Sequence, residues 1–134
     1  MSRTTQERPL TGKVAPNAAT SGGCTPYHYL SSGATNQDST TVKAAAGQIY
    51  YLTACNTNAS ARYLKLYDNN NNPTSSNTPV FTLLIPPNNS GFELPIPVGM
   101  SFVNGISFRI TGGMADSDTT SASTGDCAIN LGYK

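Results

Sequence analysis

The feature of this sequence that most constrains its fold is an alternation of apolar and polar residues in short segments from Thr25 onward. Successive side chains of a β-strand point to opposite faces, so a period of two is typical of half-buried strands. Clusters of Asn, Gly, Pro and Ser, which favour turns, separate the segments. Because no stretch shows the apolar spacing of an amphipathic helix, the pattern predicts an all-β protein.

The alternating segments number about eight, and their spacing is typical of a single antiparallel β-sandwich of the jelly-roll kind. With 134 residues, the chain has room for one domain. The expected strands lie near residues 26–30, 40–45, 48–56, 61–67, 79–85, 91–96, 100–110 and 126–133. The apolar faces of these segments place in the core Leu64, Leu66, Phe108, Ile110, Ile129 and Leu131.

Two of these segments carry more specific expectations. Residues 49–55 are apolar on both faces, which favours a strand that is covered on both sides. Pro95 and Pro97 cannot donate a backbone hydrogen bond to a neighbouring strand. The segment that contains them is therefore expected at the edge of a sheet or at the end of a strand.

Some polar and aromatic side chains fall on the faces opposite the core. Tyr63, Lys65 and Tyr67 share such a face, as does Arg109 in its own segment, and we expect these faces to point outward. Exposed tyrosines and a lysine are suitable contacts for a partner. The long, weakly charged loops, such as residues 111–126, are expected to crowd the ends of the sandwich.

The first 23 residues differ in composition from the rest. They hold several charges and two prolines but no periodic apolar face, which predicts an extended N-terminal arm over residues 1–23, ahead of a β-sandwich domain over 24–134. An arm of this kind would bind a neighbouring subunit. Its candidate partner-binding residues are Arg3, Arg8, Pro9, Lys13 and Pro16.

The charge balance argues against two classes of partner. Charged residues make up 11% of the chain and the formal net charge is +1, too small to generate the field that binds nucleic acid or an anionic membrane. No apolar run has the length of a secretory signal or a membrane span. We therefore expect a reducing, cytosol-like compartment, with Cys24, Cys55 and Cys127 as free, buried thiols.

Residues suited to catalysis are scarce. His28 is the only histidine, and its spacing from the three cysteines matches no zinc pattern. Asp116, Asp118 and Asp126 could offer oxygen ligands to calcium, but a solvated turn with Asx hydrogen bonds is the preferred interpretation. The inventory predicts no enzyme, no catalytic residues, no metal and no cofactor.

Three blocks of the sequence carry a resemblance. These are NTNASARYLKLYD at 56–68, ADSDTT at 115–120 and INLGYK at 129–134. Across residues 39–134 the chain resembles a family of short virion structural proteins found in tailed-bacteriophage gene clusters. It departs from the family pattern at Cys55, at Cys127 and in the Asn run 69–72.

The resemblance implies a virion component, and two roles then compete. As a capsid decoration (cement) protein, the chain would assemble in the host cytoplasm as a dimer or trimer on the capsid surface, bound to the major capsid protein and stabilising the head. As a tail- or fibre-associated module, it would bind a host surface glycan or another tail protein. Decoration is the preferred role, because a fibre usually carries a coiled-coil or β-helical shaft.

Overall fold

A computed structural model of the chain describes residues 23–134, which form eight β-strands and no helix. The all-β prediction is confirmed. The strands are β1 (Thr25–Leu30), β2 (Thr40–Lys43), β3 (Gly47–Asn56), β4 (Arg62–Asp68), β5 (Phe81–Ile85), β6 (Ser90–Phe102), β7 (Ile106–Thr111) and β8 (Cys127–Tyr133). Residues 1–22 of the predicted arm lie outside the described residues, and with them the candidate contacts Arg3, Arg8, Pro9, Lys13 and Pro16.

The strands form two antiparallel four-stranded sheets. The first sheet has the order β1-β8-β3-β6 and the second the order β2-β7-β4-β5. The first and last strands are neighbours, and most connections cross between sheets, which is the strand order of a jelly roll. Among the described strands, β1 and β6 form the edges of the first sheet, and β2 and β5 those of the second.

The core lies between the two sheets, where the apolar faces meet. All six predicted core side chains are at most 3% exposed, which confirms the assignment of faces in β4, β7 and β8. Phe108 of β7 is fully buried and meets two tyrosines of β1 edge-on, with ring centroids 5.2 Å away at Tyr29 and 6.4 Å away at Tyr27. Aromatic contacts of this kind join the second sheet to the first.

Strand β3 departs from the prediction for residues 49–55. Ile49 and Leu52 are both fully buried although three positions separate them, because a β-bulge between Ile49 and Tyr51 shifts the register. Beyond the bulge, Tyr51 and Cys55 are exposed on the outer face. The expectation that β3 is covered on both sides is therefore wrong. The bulge changes which residues face the core, so apolar residues from both alternating sets contact the same core, one set before the bulge and the other after it.

Strand β6 corrects a predicted boundary. Residues 91–96 and 100–110 were expected to be separate strands, but β6 runs through Pro95 and Pro97 to Phe102, and β7 begins at Ile106. The prolines are tolerated because β6 is an edge strand, as predicted, so one of its sides needs no donors.

The tight turn between β6 and β7 is held by one carboxylate. Asp68 accepts hydrogen bonds from the backbone N–H groups of Asn104 at 2.7 Å, and of Val103 and Gly105 at 3.2 Å each. The hydrogen bond from Asn104 contributes most to lowering the pKa of Asp68 below its ordinary value of 3.8, and those from Val103 and Gly105 add to it. The end of β4 thus fixes where β7 starts.

Candidate functional site

The predicted outward face of the second sheet is covered by the chain itself. Lys65 and Arg109 are cross-strand neighbours that are fully buried, and Tyr67 is 1% exposed. Lys65 donates to the carbonyl oxygen of Ala115, and Arg109 donates to that of Asp118, so the loop after β7 lies over this face. The expectation that Lys65, Tyr67 and Arg109 reach solvent is wrong, because this loop folds across the sheet rather than crowding its end.

The covered side chains form a polar cluster of their own. Arg109 donates to the Tyr67 hydroxyl and to the side-chain oxygen of Gln37, both at 2.9 Å. Burial, and next the nearby Arg109 charge, lower the pKa of Lys65 below its ordinary value. These groups stabilise the loop from beneath and are not available to a partner. Of the three predicted contacts on β4, Tyr63 alone is partly exposed.

The three loop aspartates are not brought together. Asp118 accepts a hydrogen bond from the Thr120 hydroxyl, which contributes most to lowering the pKa of Asp118, and a 2.8 Å hydrogen bond from the backbone N–H of Thr120 adds to it. Asp126 instead forms the one ion pair found among residues 23–134, with Arg62 at 3.3 Å. Over the same range, no group of three or more His, Cys, Asp or Glu side chains could hold a metal ion.

The three cysteines differ in their burial. All three are free thiols, but only Cys127 is buried, so the expectation of burial is wrong for Cys24 and Cys55. Burial raises the pKa of the Cys127 thiol to about 12, with a smaller contribution from the charge of Asp126. Cys55 is exposed because it lies beyond the β3 bulge, on the outer face of the first sheet.

Apolar side chains are exposed along the edge strand β5. Phe81, on its core-facing side, is 41% exposed, Leu84, on its outer face, is 52% exposed, and Val80 just before the strand is 54% exposed. Residues 79–102, which we call the uncharged margin, contain a single charged side chain, Glu93. Further core-facing side chains are only partly covered along it: Leu83, Phe92, Leu94, Ile96 and Met100.

The free edge of β5 adds backbone groups to this surface. Among the described strands β5 pairs only with β4, so its other side presents unpaired N–H and C=O groups. It carries neither the charge nor the proline with which proteins usually guard such an edge. Sequence reasoning missed this surface, although the near absence of charge from residue 69 to residue 108 was a signal for it.

A second surface is a groove of about 590 Å³ on the outer face of the first sheet. Strands β1, β8 and β3 form it, and its lining includes Pro26, His28, Tyr51, Asn130 and Gly132. His28 Nδ1 lies 2.7 Å from the side-chain oxygen of Asn130. His28 is therefore an exposed member of a polar surface, with a partner that the sequence did not indicate.

Comparisons with known proteins give no match from which a function could be inferred. No protein-family model, no curated protein and no solved structure matches this chain. Residues 23–134 include no helix long and apolar enough to cross a membrane. The uncharged margin and the groove are thus the two candidate functional surfaces of the described chain.

Proposed function

We propose that this chain is a structural protein of a tailed-bacteriophage virion that decorates the outside of the capsid, where it binds the major capsid protein and copies of itself. The observation that carries the proposal is the uncharged margin. Exposed apolar groups that adjoin one another mark surfaces that other proteins cover. An unguarded edge strand next to them gives such a partner backbone groups to pair with.

The use of the charged side chains supports an assembly role over a catalytic one. Asp68 and Asp118 hold turns, and Arg62 and Asp126 pair with each other at one end of the sandwich. Arg109 anchors a loop. These groups are committed to stabilising the fold, and a rigid, self-contained fold suits a protein that reinforces a shell.

The length of the uncharged margin leaves room for contact with more than one neighbour. A stable interface buries about 800 Å² on each partner. The margin extends along both β5 and the 13-residue strand β6, so a second copy and a capsid subunit can share it. The resemblance of the blocks at 56–68 and 115–120 to virion proteins supports the same proposal.

A tail- or fibre-associated module is the second candidate, and the observation that favours it is the groove beside Tyr51 and Asn130. The two roles differ in copy number. Quantitative mass spectrometry of purified virions should find the chain in numbers comparable with the major capsid protein. A few copies, matching the symmetry of the tail, would contradict decoration and favour the tail. Absence from the virion would refute both.

A further inference from the structure

We infer that the groove on the outer face of the first sheet is a binding site for a neutral oligosaccharide. The inference holds for a capsid or a tail position alike, so it does not depend on the proposed function. Strand register puts the relevant side chains in two parallel rows across the sheet. One row is polar and consists of His28, Asn130, Thr53 and Glu93, and the other is apolar and consists of Pro26, Gly132, Tyr51 and Pro95.

The polar row is linked and held in place. The Asn130 amide nitrogen lies 3.3 Å from the Thr53 hydroxyl, in addition to the contact with His28. At the far end, Tyr51 donates a 2.9 Å hydrogen bond to Glu93. With strands about 4.8 Å apart, four side chains in line span about 14 Å, the length of a short oligosaccharide.

The groups in this row still have hydrogen-bonding capacity for a ligand. With Nδ1 directed at Asn130, His28 keeps its other ring nitrogen, and Glu93 keeps the carboxylate oxygen that Tyr51 does not use. His28, Glu93 and Asn130 are all exposed. Amide, imidazole, hydroxyl and carboxylate groups together can both donate to and accept from sugar hydroxyls.

The apolar row forms the part of the groove that a sugar ring can pack against. Tyr51 is 39% exposed and stands beside Gly132, over which the side chain of Cys24 lies. Small-molecule sites are concave and mostly apolar, with a few placed polar groups, and this groove has that arrangement. A rigid aromatic ring on a sheet loses little conformational entropy when a ligand binds.

Charge selects the class of ligand. The groove lining contains no Lys, Arg, Asp or Glu, and Glu93 is the single full charge in the two rows. Among residues 23–134, the groove offers a phosphate or uronic acid no lysine or arginine, and Glu93 would repel it. Lys134 and Tyr50 line a separate hollow that shares only Cys24 with the groove. An uncharged, hydroxyl-rich ligand is the one that fits.

A protein strand and a second copy fit this face less well. Added strands pair with a free sheet edge, whereas the groove lies on the outer face across β1, β8 and β3, of which only β1 is an edge strand. The exposed apolar side chains Phe81 and Leu84, which would drive association of copies, lie on β5 in the other sheet.

The test is a titration of the isotope-labelled full chain, followed by amide NMR. The probes are the neutral trisaccharides maltotriose, cellotriose, mannotriose and triacetylchitotriose, with trigalacturonate as the acidic probe. At least one neutral probe should give saturable shifts at His28, Tyr51 and Asn130 by about 10 mM, and none at β5. Trigalacturonate should bind at least tenfold more weakly than the best neutral probe.

Variants separate binding from folding. Asn130→Ala and Tyr51→Ala should each weaken the best neutral probe at least tenfold while leaving the amide spectrum of the core strands unchanged. Thr82→Ala, an exposed position on the other sheet, is the matched control and should bind as the wild type does. Glu93→Gln removes the charge that repels an acidic ligand, so it should reduce the difference in affinity between the best neutral probe and trigalacturonate.

Several results would overturn the inference. These are no shift from any neutral probe, shifts confined to β5, tighter binding of trigalacturonate, or unchanged binding by both Asn130→Ala and Tyr51→Ala. Each of them would also remove the observation that favours the tail module, whereas the capsid position is decided separately by the copy number.

Discussion

Single buried side chains join the two sheets, and Leu66 and Phe108 do so as a pair. They are cross-strand neighbours in β4 and β7, and both are fully buried. Through Phe108 the pair reaches Tyr27 and Tyr29 of the first sheet. Removing either side chain would leave a cavity between sheets that are each held by their own backbone hydrogen bonds.

We predict that Leu66→Ala or Phe108→Ala lowers the free energy of unfolding by about 2–5 kcal/mol. Chemical denaturation of purified protein measures it. Leu84→Ala is the matched control, because Leu84 is 52% exposed and its loss opens no cavity. An equal effect of Leu84→Ala and Leu66→Ala would mean that the core has been misplaced.

The thiols give a second prediction at the scale of residues. Cys24 and Cys55 are exposed, whereas Cys127 is buried and has a pKa raised to about 12. Because only the thiolate reacts, iodoacetamide at neutral pH should modify Cys24 and Cys55 and spare Cys127 until the protein is denatured. Peptide mapping after limited labelling shows which sites react. Modification of native Cys127 as fast as Cys55 would be inconsistent with its burial.

Among the elements, the β6–β7 turn depends on a side chain from β4. Replacing Asp68 with Ala removes the acceptor for three backbone donors and should cost about 1–2 kcal/mol of stability. Asp68→Asn is the control that keeps an acceptor but removes the charge, and it should cost less.

The pH dependence follows from the lowered pKa of Asp68. The folded state binds this proton less readily than the unfolded state, so the contribution to stability is complete well above pH 3.8 and is lost as the pH falls through the lowered value. The stability difference between wild type and Asp68→Ala should therefore shrink in acid, as denaturation at a series of pH values measures. A difference that stays constant would contradict the role of the carboxylate.

The core faces of β4 and β8 were predictable from the alternation of apolar residues, as the burial of Leu64 and Leu66 in β4 and of Ile129 and Leu131 in β8 shows. The bulge after Ile49 was not predictable, because it changes which residues are buried and no polar residue in the sequence indicates that change. The burial of Lys65 and Arg109 was not predictable either. Lys65 donates to a backbone carbonyl of a loop distant in sequence from β4, and any residue type supplies such a group. Arg109 donates to the side chains of Tyr67 and Gln37, which only the folded chain brings to it.

The candidate surfaces were harder to predict than the fold. The polar row of the groove combines residues as distant in sequence as His28 and Asn130, and only the register of β1 on β8 makes them neighbours. The uncharged margin is contiguous in sequence, so its composition could have indicated it. What composition could not show is that β5 and β6 are both edge strands.

For the whole molecule, the division into arm and domain makes a prediction. Every described strand begins at Thr25 or later, so deleting residues 2–20 should leave the circular dichroism spectrum of the β-sandwich unchanged. Attachment to capsids that lack the native protein should weaken, because the predicted arm would contribute contacts of its own. Full attachment of the truncated chain would refute the arm's role, and loss of folding would show that it belongs to the core.

Co-sedimentation with capsids that lack the protein shows whether the chain assembles on a capsid through its uncharged margin. Leu84→Lys places a charge on the margin, and Leu30→Lys is its matched control, because Leu30 is similarly exposed, at 53% against 52%, but lies on β1 of the other sheet. Wild type and Leu30→Lys should bind to saturation, and Leu84→Lys should bind at least tenfold more weakly, about 1.4 kcal/mol. Failure of the wild type to bind, or equal binding by Leu84→Lys, would contradict the account.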